Sequence, residues 1–387
     1  MPNACIVGIG CSRFGEGLPE SQVALGAAAL KAALADAGLS RDDIDGLSLN
    51  YGGPLGVDYD RLAGAFGIDA RYINQTWLNG RFITTTLMHA AWAVQAGAAD
   101  VVACVTAVSF SRIRERLGNV LTDEVTREEG GTHGEAPAYG LTSPAGGAAL
   151  ALQRYLHQYA VDPALLAAVP IAQRAHAALN PGAIKRTPIT VDDYARSRLI
   201  ADPLRVLDCC LVSDGAVVIL VTSEERARDL RQSAVAIRGS QGLRAGREEF
   251  VFAPRGLGFG QQSGRPGPAR EEDLAIFDAA GVRRDDVQGF YVYDAFSPLV
   301  VYALERFGYC GPGEGPDFVQ GGRIGPGGAL PVNTSGGLLS EAHVAGWNSI
   351  AEMVRQLRGQ AGDRQIPDAR VLQWGTAWGD SIILSTL

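Results

Sequence analysis

The segment from Asp36 to Asn50, Asp-Ala-Gly-Leu-Ser-Arg-Asp-Asp-Ile-Asp-Gly-Leu-Ser-Leu-Asn, returns in the second half of the chain. There it reads Ala279 to Tyr293, Ala-Ala-Gly-Val-Arg-Arg-Asp-Asp-Val-Gln-Gly-Phe-Tyr-Val-Tyr. Setting Gly38 on Gly281 also places Asp42 and Asp43 on Asp285 and Asp286, and Gly46 on Gly289, without a gap. Each copy reads as a helix ended by glycine, a short acidic turn and a strand. A second correspondence follows. Gly80 to Gly97, with Ile83, Leu87, Ala91 and Val94 at helical spacing, leads into a strand at Val101–Val105, and His343 to Leu357 leads into Arg370–Trp374. The chain is thus two αβ units of one plan, residues 1–232 and 233–387.

Between the repeat elements the first unit carries an insertion over about residues 109–208, which opens polar and charged from Arg112 to Glu129 and then turns helical. Ser143-Pro144 and Asp162-Pro163 each pair a capping residue with a first-turn proline, so two helices start there. At the N-terminus Ala4 to Ile9 is a short apolar strand. Ser21 caps a helix with Val23, Ala27, Leu30 and Leu34 on one face, stopped by Gly38. A further strand is expected from Ala216 to Val221 and a helix from Glu224 to Leu230, with the second half starting at Val235. Gly/Pro/Arg-rich stretches at residues 242–270 and 311–331 read as loops long enough to be functional.

With 387 residues, 47% of them hydrophobic and 20% charged, there is ample apolar side chain for a core. The 34 basic and 42 acidic residues leave a net charge of −8, and no Lys/Arg run is dense enough to neutralise a phosphate backbone, which disfavours nucleic acid as a partner. A small-molecule substrate fits better. The chain shows no long uninterrupted apolar run and no basic leader, so a cytoplasmic protein is expected. Its six cysteines stand in neither Cys-x-x-Cys nor zinc spacing, so neither a disulfide framework nor a metal is expected.

Two segments carry candidate chemistry. Val7-Gly-Ile-Gly-Cys-Ser-Arg-Phe-Gly15 has the glycines of a dinucleotide loop, but Arg13 stands in place of the third and no helix follows at once. A tight strand-end turn is the better reading. The stronger segment is Gly328 to Gly346, a glycine- and hydroxyl-rich turn that delivers His343 to the start of a helix. Such a histidine presents a ring N–H to a developing oxyanion, or works as acid and base near neutral pH. The plain alternative is a histidine that only hydrogen-bonds its turn.

Residues 328–346, together with Tyr293-Asp-Ala-Phe-Ser297, the stretch from Arg198 to Ala216 and the closing Gly375–Gly379, resemble the thiolase superfamily, in its lipid-transfer-protein-type branch. The resemblance runs over essentially the whole chain. It implies a thiolase fold, an α/β architecture of duplicated five-layer αβαβα form with an inserted loop domain. It also implies a homodimer and an acyl-coenzyme A substrate, with coenzyme A as part of that substrate and no tightly bound cofactor. Tyr139-Gly140 and the Gly134–Pro137 loop are similar to segments that shape the acyl pocket.

The departures from the family matter more. Its nucleophilic cysteine belongs near Gly80, within Asn79-Gly-Arg-Phe, where there is none. The second family cysteine belongs in Gln373-Trp-Gly-Thr-Ala-Trp-Gly379 and is missing too. Cys104 lies in a buried strand pattern and Cys209 and Cys210 in an apolar run, so all three read as core residues. The family's Gly-His-Pro is Ala342-His343-Val344, and Asp294 replaces the asparagine often found after the second-half strand.

Without a thiolate the usual acyl-enzyme is not formed. The chain resembles most the thiolase-like aldolases that lack both cysteines, which shorten steroid side chains together with a small OB-fold partner protein. That resemblance implies retro-aldol cleavage of a β-hydroxyacyl-CoA. Tyr293 is the candidate to take the hydroxyl proton, Asp294 its neighbour or substitute, and His343 the group that holds the thioester oxygen and returns a proton. Ser335, Gly336, Gly337 and Gly346 are the candidate contacts to coenzyme A. Arg81, Arg186 and Arg323 are candidates for its phosphates, surface arginines being the commoner explanation.

Two other classes stay open: an acyltransferase with an unconventional nucleophile, such as Ser12 or a cysteine brought in by folding, and a non-catalytic acyl-CoA-binding subunit. Convergence of Tyr293, Asp294 and His343 without a cysteine favours the lyase, and a thiol poised against the imidazole requires the lyase reading to be abandoned.

Overall fold

The computed structural model describes residues 4–50, 58–76, 80–113, 143–244 and 271–387. The first unit opens with strand β1 (Ala4–Cys11) and an outer helix, Gln22–Ala37. Ser21 Oγ accepts the N–H of Ala24 at the helix start, and Gly38, left-handed at φ 75°, ends it. A turn of 3-10 helix at Arg41–Asp43 feeds β2 (Gly46–Asn50). The second unit repeats this with an outer helix Glu271–Ala280, a left-handed Gly281, a 3-10 turn at Arg284–Asp286 and a strand from Gly289. In both turns the second aspartate, Asp43 or Asp286, accepts the backbone N–H three residues before it. The sequence repeat is therefore a repeat of capping geometry.

The remaining strands are β3 (Tyr72–Thr76), β4 (Val101–Ser109), the β5–β6 ribbon (Leu199–Ala201, Leu204–Arg205) and β7 (Asp214–Ser223) in the first unit. The second unit supplies β8 (Val235–Gln241), β9 (Gly289–Tyr291), β10 (Val371–Gly375) and β11 (Ser381–Thr386). Among the described residues nine strands join in the order β3-β2-β4-β7-β1-β8-β11-β10-β9. Outward from the centre the halves match. β1 answers β8, β7 answers β11, β4 answers β10 and β2 answers β9, with β4 and β10 each parallel to one neighbour and antiparallel to the other. The halves meet where β1 and β8 pair antiparallel, Cys5 against Ala236 and Ile6 against Val235. The place of β3 is taken in the second half by a parallel bridge between Phe290 and Val332.

Helix Gln22–Ala37 packs on β1, β4 and β7, and helix Glu271–Ala280 on β8 and β11. Two inner helices, Ile83–Gln95 and Trp347–Leu357, touch strands of both halves and so lie between the two sheet portions. The result is the five-layer αβαβα arrangement. β1 shows the packing logic: Cys5 and Val7 face the outer core with Leu25 and Ala29, while Ile6 and Ile9 face the inner core with Ile83 and Val354. A Cβ at Gly10 would lie 2.0 Å from the Ala29 carbonyl oxygen. Gly8 and Gly10, expected in a strand-end turn, thus lie within β1, where they let the outer helix approach the strand.

Both insertion helices start where the sequence places them, Pro144–Tyr159 after Ser143 and the Pro163–Ala167 turn after Asp162, whose Oδ1 accepts the Ala164 N–H. The expected helix from Glu224 ends early, at Ala227. Residues 311–331 are turns around one short helix, Gly315–Phe318. Most of the charged stretch from Arg112 to Glu129, the Gly134–Pro137 loop, Tyr139-Gly140 and nearly all of loop 242–270 lie outside the described residues. Among the described residues no helix is long and apolar enough to cross a membrane.

Candidate active site

Gly80 begins a turn of 3-10 helix that runs into the inner helix Ile83–Gln95, and Tyr293 lies two residues beyond the end of β9. The two meet face to face. A Cβ on residue 80 would fall 2.1 Å from Tyr293 Cδ2 and 2.3 Å from Cε2. The space that a cysteine would need at this position is filled by the tyrosine ring, and only glycine fits beneath it.

Tyr293 is buried, at 8% exposure, and its hydroxyl lies 3.3 Å from His343 Nε2. The other ring nitrogen, Nδ1, lies 3.4 Å from Cys210 Sγ. Phe110 stacks on the imidazole at 4.8 Å between centroids and 24° between planes. His343 does not start a helix: the inner helix begins at Trp347, and the histidine lies in the connection before it, where its backbone N–H donates to Ser213 Oγ at 2.6 Å. Trp378, from the closing glycine-rich loop, lies 6.1 Å from the Tyr293 ring, and the Arg81 guanidinium sits 5.4 Å above the indole.

Burial pushes the Tyr293 phenol well above its ordinary range. The neighbouring Cys210 and Asp294 act in the same direction, and the Arg81 charge opposes them. The Cys210 thiol is likewise raised, chiefly by burial. Both groups are therefore neutral at physiological pH, so tyrosine and thiol are hydrogen-bonding partners of the imidazole rather than standing anions.

Several expectations change. Cys210 is not a passive core residue, because it touches the imidazole. Asp294 turns away from its neighbour: its carboxylate accepts the N–H of Leu338 at 3.0 Å to each oxygen and that of Leu339 at 3.3 Å, capping the short helix Gly337–Ser340. Burial pushes its pKa up to about 7 against the opposing pull of those N–H groups. Both nitrogens of His343 face protein atoms, Nε2 the Tyr293 hydroxyl and Nδ1 the Cys210 sulfur. Ser12 is locked, donating to the Arg13 carbonyl and accepting the Ala216 N–H, which makes it a poor nucleophile.

The candidate coenzyme A contacts are packed against protein. Ser335 is buried, and the left-handed Gly336, Gly337 and Gly346 leave no room for a Cβ beside Ala177, Asp294 and Trp374 respectively. Arg186 donates to the Ala178 carbonyl and Arg323 lies over the Phe318 ring, whereas Arg81 belongs to the tyrosine site. In the closing loop Thr376 bonds the buried Asp380, which also accepts from Thr84 on the inner helix. Cys210, Ser213 and Phe110 were not visible as site residues in the sequence. The one signal was that the family-like stretch from Arg198 to Ala216 includes two of them.

Residues 268–382 match the family described as thiolase C-terminal domain-like. Over 368 residues the chain is 39% identical to the 17-hydroxy-3-oxo-4-pregnene-20-carboxyl-CoA lyase of Mycobacterium tuberculosis, with 92% of each chain covered. It is 34% identical to the steroid side-chain-cleaving aldolase of Thermomonospora curvata, covering 92% of this chain and 90% of that one. Among solved structures, the Ltp2-ChsH2(DUF35) aldolase superposes with a TM-score of 0.85 at 32% identity, covering 100% of this chain and 98% of that one.

Proposed function

Because the chain belongs to the thiolase-like aldolases of the thiolase superfamily, we propose that it cleaves a β-hydroxyacyl-CoA by a retro-aldol reaction, releasing a shorter acyl-CoA and a ketone or aldehyde. The observation that carries the reading is the Tyr293 ring in the space of the family's cysteine, with its hydroxyl on His343.

A neutral phenol is a poor base, but it passes protons well. As the substrate hydroxyl gives its proton to the Tyr293 oxygen, Tyr293 gives its own to His343 Nε2, and the hydroxyl-bearing carbon becomes a carbonyl as the C–C bond breaks. The electron pair enters the thioester as an enolate. The proton held on His343 then returns through Tyr293 to the enolate carbon, so the cycle consumes no cofactor. Asp294 serves this scheme from behind, by fixing the helix that precedes His343.

A thiol poised against the imidazole is the condition set by the sequence for abandoning the lyase, and Cys210 is such a thiol. Two observations outweigh it. Burial holds the sulfur protonated, and the named relatives at 39% and 34% identity are a lyase and an aldolase. The names of these relatives support a steroid acyl group as the substrate. The superposed Ltp2-ChsH2(DUF35) aldolase is a two-component assembly, which supports a protein partner, here the small OB-fold protein. A homodimer completes the assembly, and the free cysteines fit a cytoplasmic setting.

The test is turnover of 17-hydroxy-3-oxo-4-pregnene-20-carboxyl-CoA by the chain co-purified with its OB-fold partner. Tyr293→Phe is expected to lower kcat at least ~100-fold, the scale of a lost acid–base group. Undiminished release of the steroid ketone would remove Tyr293 from the mechanism.

A further inference from the structure

The segment from Cys209 to Ser213 grips both halves of the relay. Cys210 N–H donates to the Ala295 carbonyl beyond Tyr293, Leu211 N–H donates to the Leu338 carbonyl ahead of His343, and Ser213 Oγ takes the His343 backbone N–H. Cys210 Sγ is thereby set against Nδ1 at 3.4 Å while Tyr293 holds Nε2 at 3.3 Å. Resting on the lyase reading, we propose that Cys210 is a positioning residue whose sulfur accepts the Nδ1–H of His343, leaving Nε2 bare to take the proton from Tyr293.

A neutral imidazole carries one proton, and the partner of one nitrogen decides the role of the other. Were Nδ1 bare, Nε2 would carry the proton and donate to Tyr293, and the relay from substrate would be blocked. With Nδ1–H on sulfur, Tyr293 donates to Nε2 and its oxygen is open to the substrate hydroxyl. When the imidazolium forms, the sulfur keeps its N–H and shares the charge through a polarisable atom. An oxygen acceptor would do the same more strongly, because sulfur is the weaker acceptor.

Tyr293 and Cys210 touch the ring, Phe110 covers one face, Cys209 and Asp294 raise the thiol, and the charge of Arg81 reaches Tyr293. Glu341, two residues before the histidine, turns to the amides of Asn180 and Asn348.

The experiment uses the complex with the OB-fold partner and the same steroid thioester, after wild-type cleavage has been shown. If the wild type does not cleave, the lyase reading fails, and this inference with it. Given cleavage, Cys210→Ala is expected to lower kcat about 10-fold with KM within 2-fold, and to move the acid limb of the kcat–pH profile to lower pH, because the imidazolium has lost its acceptor. Cys210→Ser is expected to restore kcat to within about 3-fold and return the acid limb to the wild-type position or above it. Cys210→Ala with unchanged kcat and acid limb overturns the inference and leaves the lyase reading standing. If Cys210→Ala melts early, the serine variant decides, and an acid limb moved below that of the wild type overturns the inference. An acyl group found on Cys210 by intact mass would make the sulfur a nucleophile and overturn both.

Discussion

Position 80 has no side chain because Tyr293 uses the space, and the pair is one functional exchange written at two places in the chain. Gly80→Ala drives a methyl group into the tyrosine ring. The overpacking is expected to cost ~1–3 kcal/mol of stability. It also pushes the Tyr293 hydroxyl off His343, so cleavage falls by more than ~10-fold even where the variant is folded, since small misplacements of reacting groups are costly. Thermal melts and product release measure the two effects separately. A Gly80→Ala variant as stable and as active as the wild type would show that the ring does not need that space. Half of this exchange was legible: the sequence has no cysteine at Gly80. The other half was not, because nothing local at Tyr293 shows that its ring reaches another element.

The short helix Gly337–Ser340 and the segment from Cys209 to Ser213 orient His343, and Asp294 anchors the helix from inside the protein. Its carboxylate accepts the Leu338 and Leu339 N–H groups, away from the Tyr293 hydroxyl, because neighbouring residues along extended chain point to opposite sides. Burial of that carboxyl has a measurable consequence. Asp294 titrates near 7 in the folded protein against an ordinary 3.8, so the folded state keeps a proton that the unfolded chain has given up. Its contribution to stability is full below the ordinary value and is lost as pH rises through the folded value. Asp380 and Glu305, raised to about 6 and about 7 by burial, act in the same direction. Asp294→Asn keeps an oxygen for the Leu338 N–H but cannot titrate. Between pH 4.5 and 7.5, about the window this shift defines, its melting temperature is expected to fall less than that of the wild type. Equal falls would contradict the buried-acid account.

At the scale of the whole molecule the duplication was readable because glycines and aspartates with fixed backbone duties recur in register, Gly38 with Gly281 and Asp43 with Asp286. The layering follows, since two αβ units of one plan bury their inner helices against each other's sheet. The histidine connection was readable as a segment but not as a geometry. Cys210, Tyr293 and His343 come from three separate stretches, and only the joining of the halves at β1 and β8 and the clasp around His343 bring them together. The central claim, that this cradle breaks carbon–carbon bonds without covalent sulfur chemistry, is tested most directly in a single turnover of the complex with 17-hydroxy-3-oxo-4-pregnene-20-carboxyl-CoA, with products and intact protein mass followed together. The account predicts equal amounts of steroid ketone and shorter acyl-CoA with the protein mass unchanged throughout. An acylated protein without cleavage of the side chain would contradict it.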